Sequence, residues 1–154
     1  MRCFALIASA AAMAVLWTPV AGAAANSSPT TTVNAVAAAF NRGDLKGFAA
    51  FCDSPAYVID DFPPHQWDGP NACDDWATAV AADMKKNKIT NAKVALGTPW
   101  HSAITGNVAY VVVPATLAYL QNGKPVKETG SVWTVVLHKT ASGWLMTSWS
   151  WGQH

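Results

Sequence analysis

"TGNVAYVVVPATLAYLQNGKPVKETGSVWTVVLHKTASGWLMTSWSW" runs from Thr105 to Trp151. Three runs rich in Val, Thr, Trp and Tyr are separated by short turn signals. β-Branched and aromatic side chains fit a pleated, half-buried surface, so these runs read as strands. Thr105-Gly106-Asn107 turns the chain into the first, Val108 to Leu120. Asn122-Gly123 is the strongest hairpin signal of the chain, because both residues tolerate the positive φ of a tight turn. Val126 to Lys139 follows, and Ala141-Ser142-Gly143 turns into Trp144 to Trp151. A further strand is expected at Val94 to Thr98. The carboxyl-terminal half is therefore an antiparallel meander.

Upstream the periodicity is helical. Val33, Val36, Ala37 and Phe40 share one face, with Thr31 or Thr32 as cap and Gly43 as left-handed stop. Asp44 caps a second, short helix whose apolar face is Leu45, Phe48, Ala49 and Cys52, ended by Ser54-Pro55. Tyr57 to Phe62 reads as a strand that stops at Pro63-Pro64, which cannot supply ladder donors. Asp68-Gly69-Pro70 leads into a third helix with Trp76, Val80 and Met84 as its buried stripe. Three helices with one strand among them, then a meander, predict an α+β domain: a curved antiparallel sheet with the helices on one face.

The first residues are of another kind. Arg2, an apolar run from Phe4 to Trp17, Pro19 and Ala21-Gly22-Ala23 have the layout of a secretory signal peptide. Cleavage is expected after Ala23, with Ala25 as the alternative. The expected organisation is a signal peptide at 1–23, a polar leader at 24–32 and one domain at 33–154. The destination is the medium or the periplasm, with no membrane association after cleavage. Without Arg2 the chain has nine basic and nine acidic residues. No basic stripe is present, which argues against a nucleic-acid partner.

Cys3 leaves with the signal, and Cys52 and Cys73 remain. An even pair in an exported chain reads as a disulfide. The ring it would close is worth about 3 kcal/mol. Two free buried thiols are the alternative. A metal site is disfavoured, since no C-x-x-C or H-x-x-x-H spacing accompanies them.

The order and spacing of "AAAFNRGDLKGFAAFC" (Ala37 to Cys52), "YVIDDFPPHQWDGPNACDDW" (Tyr57 to Trp76), "GNVAYVVV" (Gly106 to Val113) and "GWLMTSWSW" (Gly143 to Trp151) resemble the nuclear transport factor 2-like superfamily, also called SnoaL-like or ketosteroid-isomerase-like. The resemblance covers the whole chain after the signal. It implies a cone-shaped α+β barrel, in which a bent sheet wraps helices around an apolar pocket open at one end. It also implies, for many members, a homodimer packed through the outer sheet faces; no cofactor is expected, and an enzyme here would be a cofactor-free isomerase or lyase. The superfamily spans isomerases, dehydratases, cyclases, hydrolases and plain binding modules, so chemistry must be argued from the site.

The isomerases of that superfamily carry a general-base aspartate, followed nine residues on by the glycine before the third helix. Asp60 and Gly69 have this spacing, and Phe62 suits the same pattern. The isomerases' oxyanion donors fall at about Val36 and near Val135, both apolar here. One such donor is typically worth about 3–4 kcal/mol.

Strand alternation puts Val58, Asp60 and Phe62 on one face and Tyr57, Ile59 and Asp61 on the other. An inward Asp60 would have its pKa raised by burial and could act as a base near neutral pH. His65, in the loop at the pocket mouth, and Tyr57, beside the base, are the assisting candidates. His101, at a strand end, is a weaker one. Trp17 aside, tryptophans stand at 67, 76, 100, 133, 144, 149 and 151. Trp67, Phe62, Tyr110, Trp133 and Trp149 are the expected ligand contacts, with Tyr119 and Trp151 on neighbouring strand positions. No Ser-His-Asp elbow, phosphate loop or dinucleotide fingerprint is present. Three functions remain: a pocket for a small hydrophobic or aromatic molecule, an isomerase or lyase with Asp60 as base, and a dimeric interaction protein using sheet aromatics.

Overall fold

The computed structural model describes residues 28 to 153. The expected signal peptide, its expected cleavage site and residues 24–27 of the expected leader lie outside them. The element order is α1 (Pro29–Asn41), α2 (Leu45–Ala49), β1 (Cys52–Ile59), β2 (Gln66–Gly69), α3 (Ala72–Lys86), β3 (Ile89–Leu96), β4 (His101–Thr105), β5 (Val108–Gln121), β6 (Lys124–Thr140) and β7 (Gly143–Gly152). Seven strands form one curved sheet in the order β2-β1-β7-β6-β5-β3, with β4 pairing the start of β5. The class is α+β, as the sequence pattern predicts.

Three local expectations need correction. First, α1 starts at Pro29, so residues 29–32 are helix rather than leader. Ser28 caps it, its side chain accepting from the Thr31 N–H at 3.1 Å, and Pro29 fits the first turn, where an N–H would be orphaned anyway. Second, α2 ends at Ala49, and Cys52 opens β1 instead of closing the helix. The Phe51 carbonyl accepts from Met146 N–H at 2.7 Å, which ties the chain to β7 at that point. Third, the sheet is not wholly antiparallel, because β1 runs parallel to β7, with Val58 opposite Trp149.

The disulfide Cys52–Cys73 is formed, joining the first residue of β1 to the first turn of α3. The helices lie on the concave face. Val33 and Val36 of α1, Phe48 of α2 and Trp76 of α3 are buried together with Val58, Val111, Val113, Val135, Leu137 and Met146 of the sheet. On the outer face Tyr57, Ile59, Ile104, Val108 and Tyr110 are exposed.

Two bulges reset which residues face inward. Ala115 pairs with Ser131 but Thr116 pairs with Thr129, so Gly130 is extra, at φ 87°. One extra residue flips the side-chain alternation of a strand. Odd-numbered residues of β6 are buried from Ser131 to Leu137, whereas Val126 and Glu128 are the less exposed ones before the bulge. On β7 the register slips between Met146 and Ser148, so Met146 and Trp149 both point to the core.

Candidate functional site

Between the helices and the half of the sheet beyond the Gly130 bulge lies a cavity of about 420 Å³. Its best-buried wall is aromatic. Phe48 stacks on Trp76 with ring centroids 4.6 Å apart, and Trp149 meets Trp76 edge-on at 4.8 Å and Trp133 at 6.2 Å. Phe40, Phe62, Val80, Met84, Ile89, Val94, Leu117 and Trp151 extend the apolar lining. The polar lining is Asp60, Asp61, Asp83, Asn87, Tyr119, Gln121, Glu128 and Gln153.

Asp60 follows the last residue of β1, and the turn after it fixes its direction. Its N–H donates to the His65 carbonyl at 3.1 Å, and the His65 N–H donates to the Phe62 carbonyl at 3.0 Å. His65 takes the positive φ of 74° that closes this turn. The Asp60 side chain is thereby turned inward and is only 8% exposed. Its Oδ2 accepts from Trp76 Nε1 at 2.7 Å, and its Oδ1 from the Asp61 N–H at 2.7 Å. Burial pushes the carboxyl up from 3.8 to about 7. The two hydrogen bonds oppose that rise, and the neighbouring Asp61 charge adds to it.

A second polar group spans the ends of β5, β6 and β7. Tyr119 Oη donates to Glu128 Oε1 at 2.6 Å, and Gln153 Nε2 donates to Glu128 Oε2 at 2.5 Å. Donation to the carboxylate raises the Tyr119 phenol to about 12, so it stays protonated. Glu128 has no sequence signal of its own. Counting alternation back from Trp133 would turn it outward, and only the extra residue Gly130 brings it in.

The expected residues divide. Asp60, Phe62, Trp133 and Trp149 line the cavity, as do Tyr119 and Trp151. Tyr57 does not: it is 56% exposed on the opposite strand face, so it cannot donate into the site. Tyr110 is likewise on the outer face, 43% exposed, where it packs beside His101 with ring centroids 5.8 Å apart. Trp67 belongs to β2 and not to a mouth loop. It is buried against Phe62 at 5.2 Å, behind the lining. His65 makes no contact with the Asp60 carboxyl; its Nδ1 lies 3.1 Å from the Asp60 backbone oxygen and the residue is exposed. Val36 and Val135 are sealed in the core and do not reach the cavity. The indole N–H groups of Trp133 and Trp149 are buried with no hydrogen-bond partner among the described residues.

No protein-family model and no curated protein matches the sequence. Solved structures do match in shape. A proposed dehydratase of the NTF2-like family from Streptomyces avermitilis superposes with TM-score 0.66 at 16% identity, over 81% of this chain and 93% of the other. A ketosteroid isomerase-like protein from Erwinia carotovora atroseptica gives 0.62 at 14% identity, over 79% and 90%. An NTF2-like protein with a cystatin-like fold from Novosphingobium aromaticivorans gives 0.63 at 11% identity, over 78% and 75%. At these identities the likeness establishes the fold, which is that of the NTF2-like superfamily.

Proposed function

We propose that this chain, which has the NTF2-like fold, is an exported domain that binds one small hydrophobic or aromatic molecule between its helices and the open half of its sheet. The observation that carries this reading is the cavity of about 420 Å³ with its aromatic wall. Its size and its mainly apolar lining with a few polar groups match those of small-molecule sites. The Cys52–Cys73 disulfide is compatible with an oxidising compartment and so supports export. The test uses the neutral dye phenylnaphthylamine, whose emission rises in apolar surroundings. Saturable binding is expected, and it should be lost in Ala92→Trp, which fills the cavity from β3. A dye response that does not saturate, or that survives this substitution, overturns the reading.

A second reading is favoured by one observation, the buried carboxyl of Asp60 held at about 7 beside the cavity. A base with that pKa is matched to neutral pH. In this reading the protein is an isomerase or lyase in which Asp60 takes a proton from the bound molecule. The isomerases' donors are replaced by valines at 36 and 135, and the unpaired donors near the site are the indoles of Trp133 and Trp149. Conversion of a small β,γ-unsaturated ketone to its conjugated isomer, followed by ultraviolet absorbance, is the measurement. It should be abolished in Asp60→Asn with the circular dichroism unchanged. Equal conversion by that variant would sink the general-base role.

A further inference from the structure

The ionisable groups around the cavity are of one sign. Asp60, Asp61, Asp83 and Glu128 line it, and among the described residues no Lys, Arg or His does. Among the described residues none of these four carboxyls is in a salt bridge, since the ion pairs are Arg42–Asp44 and His138–Asp53. The whole chain is close to neutral, with ten basic and nine acidic residues, so this asymmetry is local. The acids come from three separate segments: Asp60 and Asp61 from the turn after β1, Asp83 from the last helical turns of α3, and Glu128 from β6 beyond its bulge. No three His, Cys, Asp or Glu side chains among the described residues converge as a metal cage. The carboxyls thus surround a volume and do not focus on a point.

The best-buried part of the remaining wall is aromatic, with Phe48, Trp76, Trp133 and Trp149 meeting face to face or edge-on. Indoles are the side chains that best attract a cation, and the attraction grows when water is excluded. An anion entering here would meet uncompensated carboxylates in a partly dry site, whereas a cation would find both carboxylates and π-systems. Repulsion of the wrong charge is as effective a selector as attraction of the right one.

We infer that the cavity takes an organic cation, an amine or quaternary ammonium group carried on an apolar body, and rejects the corresponding carboxylic acid. The inference rests on the proposed ligand-binding function and names the class of ligand for that same cavity. The ammonium group stands among the carboxyls of Asp61, Asp83 and Glu128, and the apolar body lies against Trp133 and Trp149. Asp60 supports this placement. Burial keeps its carboxyl up at about 7, so a bound cation would draw it to its charged form and release a proton.

Three probes of one shape test it: phenylbutylamine, phenylbutanol and phenylbutyrate, each measured by displacement of phenylnaphthylamine from the full mature chain. The expected order is amine, then alcohol about tenfold weaker, then carboxylate too weak to displace the dye. Asp61→Asn, an exposed position, and Glu128→Gln, which keeps an acceptor for Tyr119, should each weaken the amine about threefold more than they weaken the alcohol. An alcohol that binds as tightly as the amine, or a carboxylate that competes, overturns the cationic class while the dye result keeps the binding function. A cavity that takes neither dye nor probes overturns both. An amine preference that both charge-removing variants leave intact also counts against the inference, because the selectivity would then lie elsewhere.

Discussion

β5 and β6 pass through two different environments. Below the Gly130 bulge their inward residues, Val111, Val113, Val135 and Leu137, are almost wholly buried against the helices. Above it Leu117, Tyr119 and Glu128 are half-buried and face the cavity. The same two strands, hydrogen-bonded along their whole length, thus build a filled end and an open end. The difference comes from one extra residue and from side-chain choice: branched aliphatics fill the first end, while rings, carboxyls and amides leave the second unfilled. Stability should reside in the closed end and ligand selectivity in the open one.

The sharpest way to break that comparison is to remove equal volume from each end. Leu137→Ala opens a void in a packed core, and such changes cost about 2–5 kcal/mol. Leu117→Ala enlarges a space that already exists, so little new cavity forms and the cost should be about 1 kcal/mol. Urea denaturation of both variants measures the gap. Equal losses would mean that the open end is packed as tightly as the closed one.

The link between the ends is α3. Its first turns carry Cys73 and Trp76 against the core, and its last turns carry Asp83 and Met84 to the cavity. Replacing Cys52 and Cys73 together by Ser removes the tie at its start and should cost about 3 kcal/mol. The chemical denaturation midpoint, with mass spectrometry to establish the thiol state of the parent, is the check. Loss of less than about 1 kcal/mol would place the anchoring of α3 in its apolar face instead.

Much of this layout is legible in the amino-acid order. Alternation and Asn122-Gly123 place β5, β6 and β7, and helical spacing places Val33, Val36, Trp76 and Val80 in the core. The inward turn of Asp60 follows from alternation in β1. Other features are not legible because they depend on partners distant in sequence. The start of β1 at Cys52 follows from pairing with β7, to which the intervening Pro55 gives no clue. Glu128 joins the site only because a bulge reverses the parity of β6. Trp67 is misread because its strand forms only by pairing with β1, Tyr57 is turned away from Asp60 as alternation in β1 already indicates, and Tyr110 is misread for a reason of register. An aromatic residue on a strand fits either face, and only the register of the neighbouring strands decides which one it takes.

Asp60 connects the two ends chemically, and its effect has a definite sign. The folded carboxyl, at about 7, lies above its ordinary 3.8. The folded state therefore holds this proton more tightly than the unfolded chain does. The ionised form carries a burial cost that is absent below the ordinary value, grows as pH rises through the window, and is complete above the folded value. Between about pH 5 and about pH 8 the parent should lose about 2–3 kcal/mol from this group alone. Asp60→Asn does not ionise, so the stability difference between variant and parent should shift in the variant's favour by that amount across the same range. Urea titrations at the two pH values give the difference, in which the pH-independent effects of the substitution cancel. A gap that does not change with pH would mean that Asp60 is ionised and well solvated in the folded protein.

The smallest expected change in stability acts on the boundary itself. Gly130 has φ 87°, a backbone region that costs a residue with a Cβ about 1–2 kcal/mol. Gly130→Ala offers the chain two outcomes. If the bulge persists, stability falls by about 1 kcal/mol and the amine preference of the cavity is kept, because Glu128 still faces inward. If the strand regularises, the parity of its first half reverses, Glu128 turns to solvent and Lys127 takes its place on the concave side. A cation would then replace an anion at the mouth of the cavity. The amine should lose its advantage over the alcohol, and the Tyr119–Glu128 hydrogen bond should disappear, lowering the phenol pKa from about 12. Reading the amine-to-alcohol ratio together with the tyrosinate absorbance distinguishes the two outcomes. Loss of the ratio with the phenol unchanged would show that the charge of the open end is not set by the register of β6.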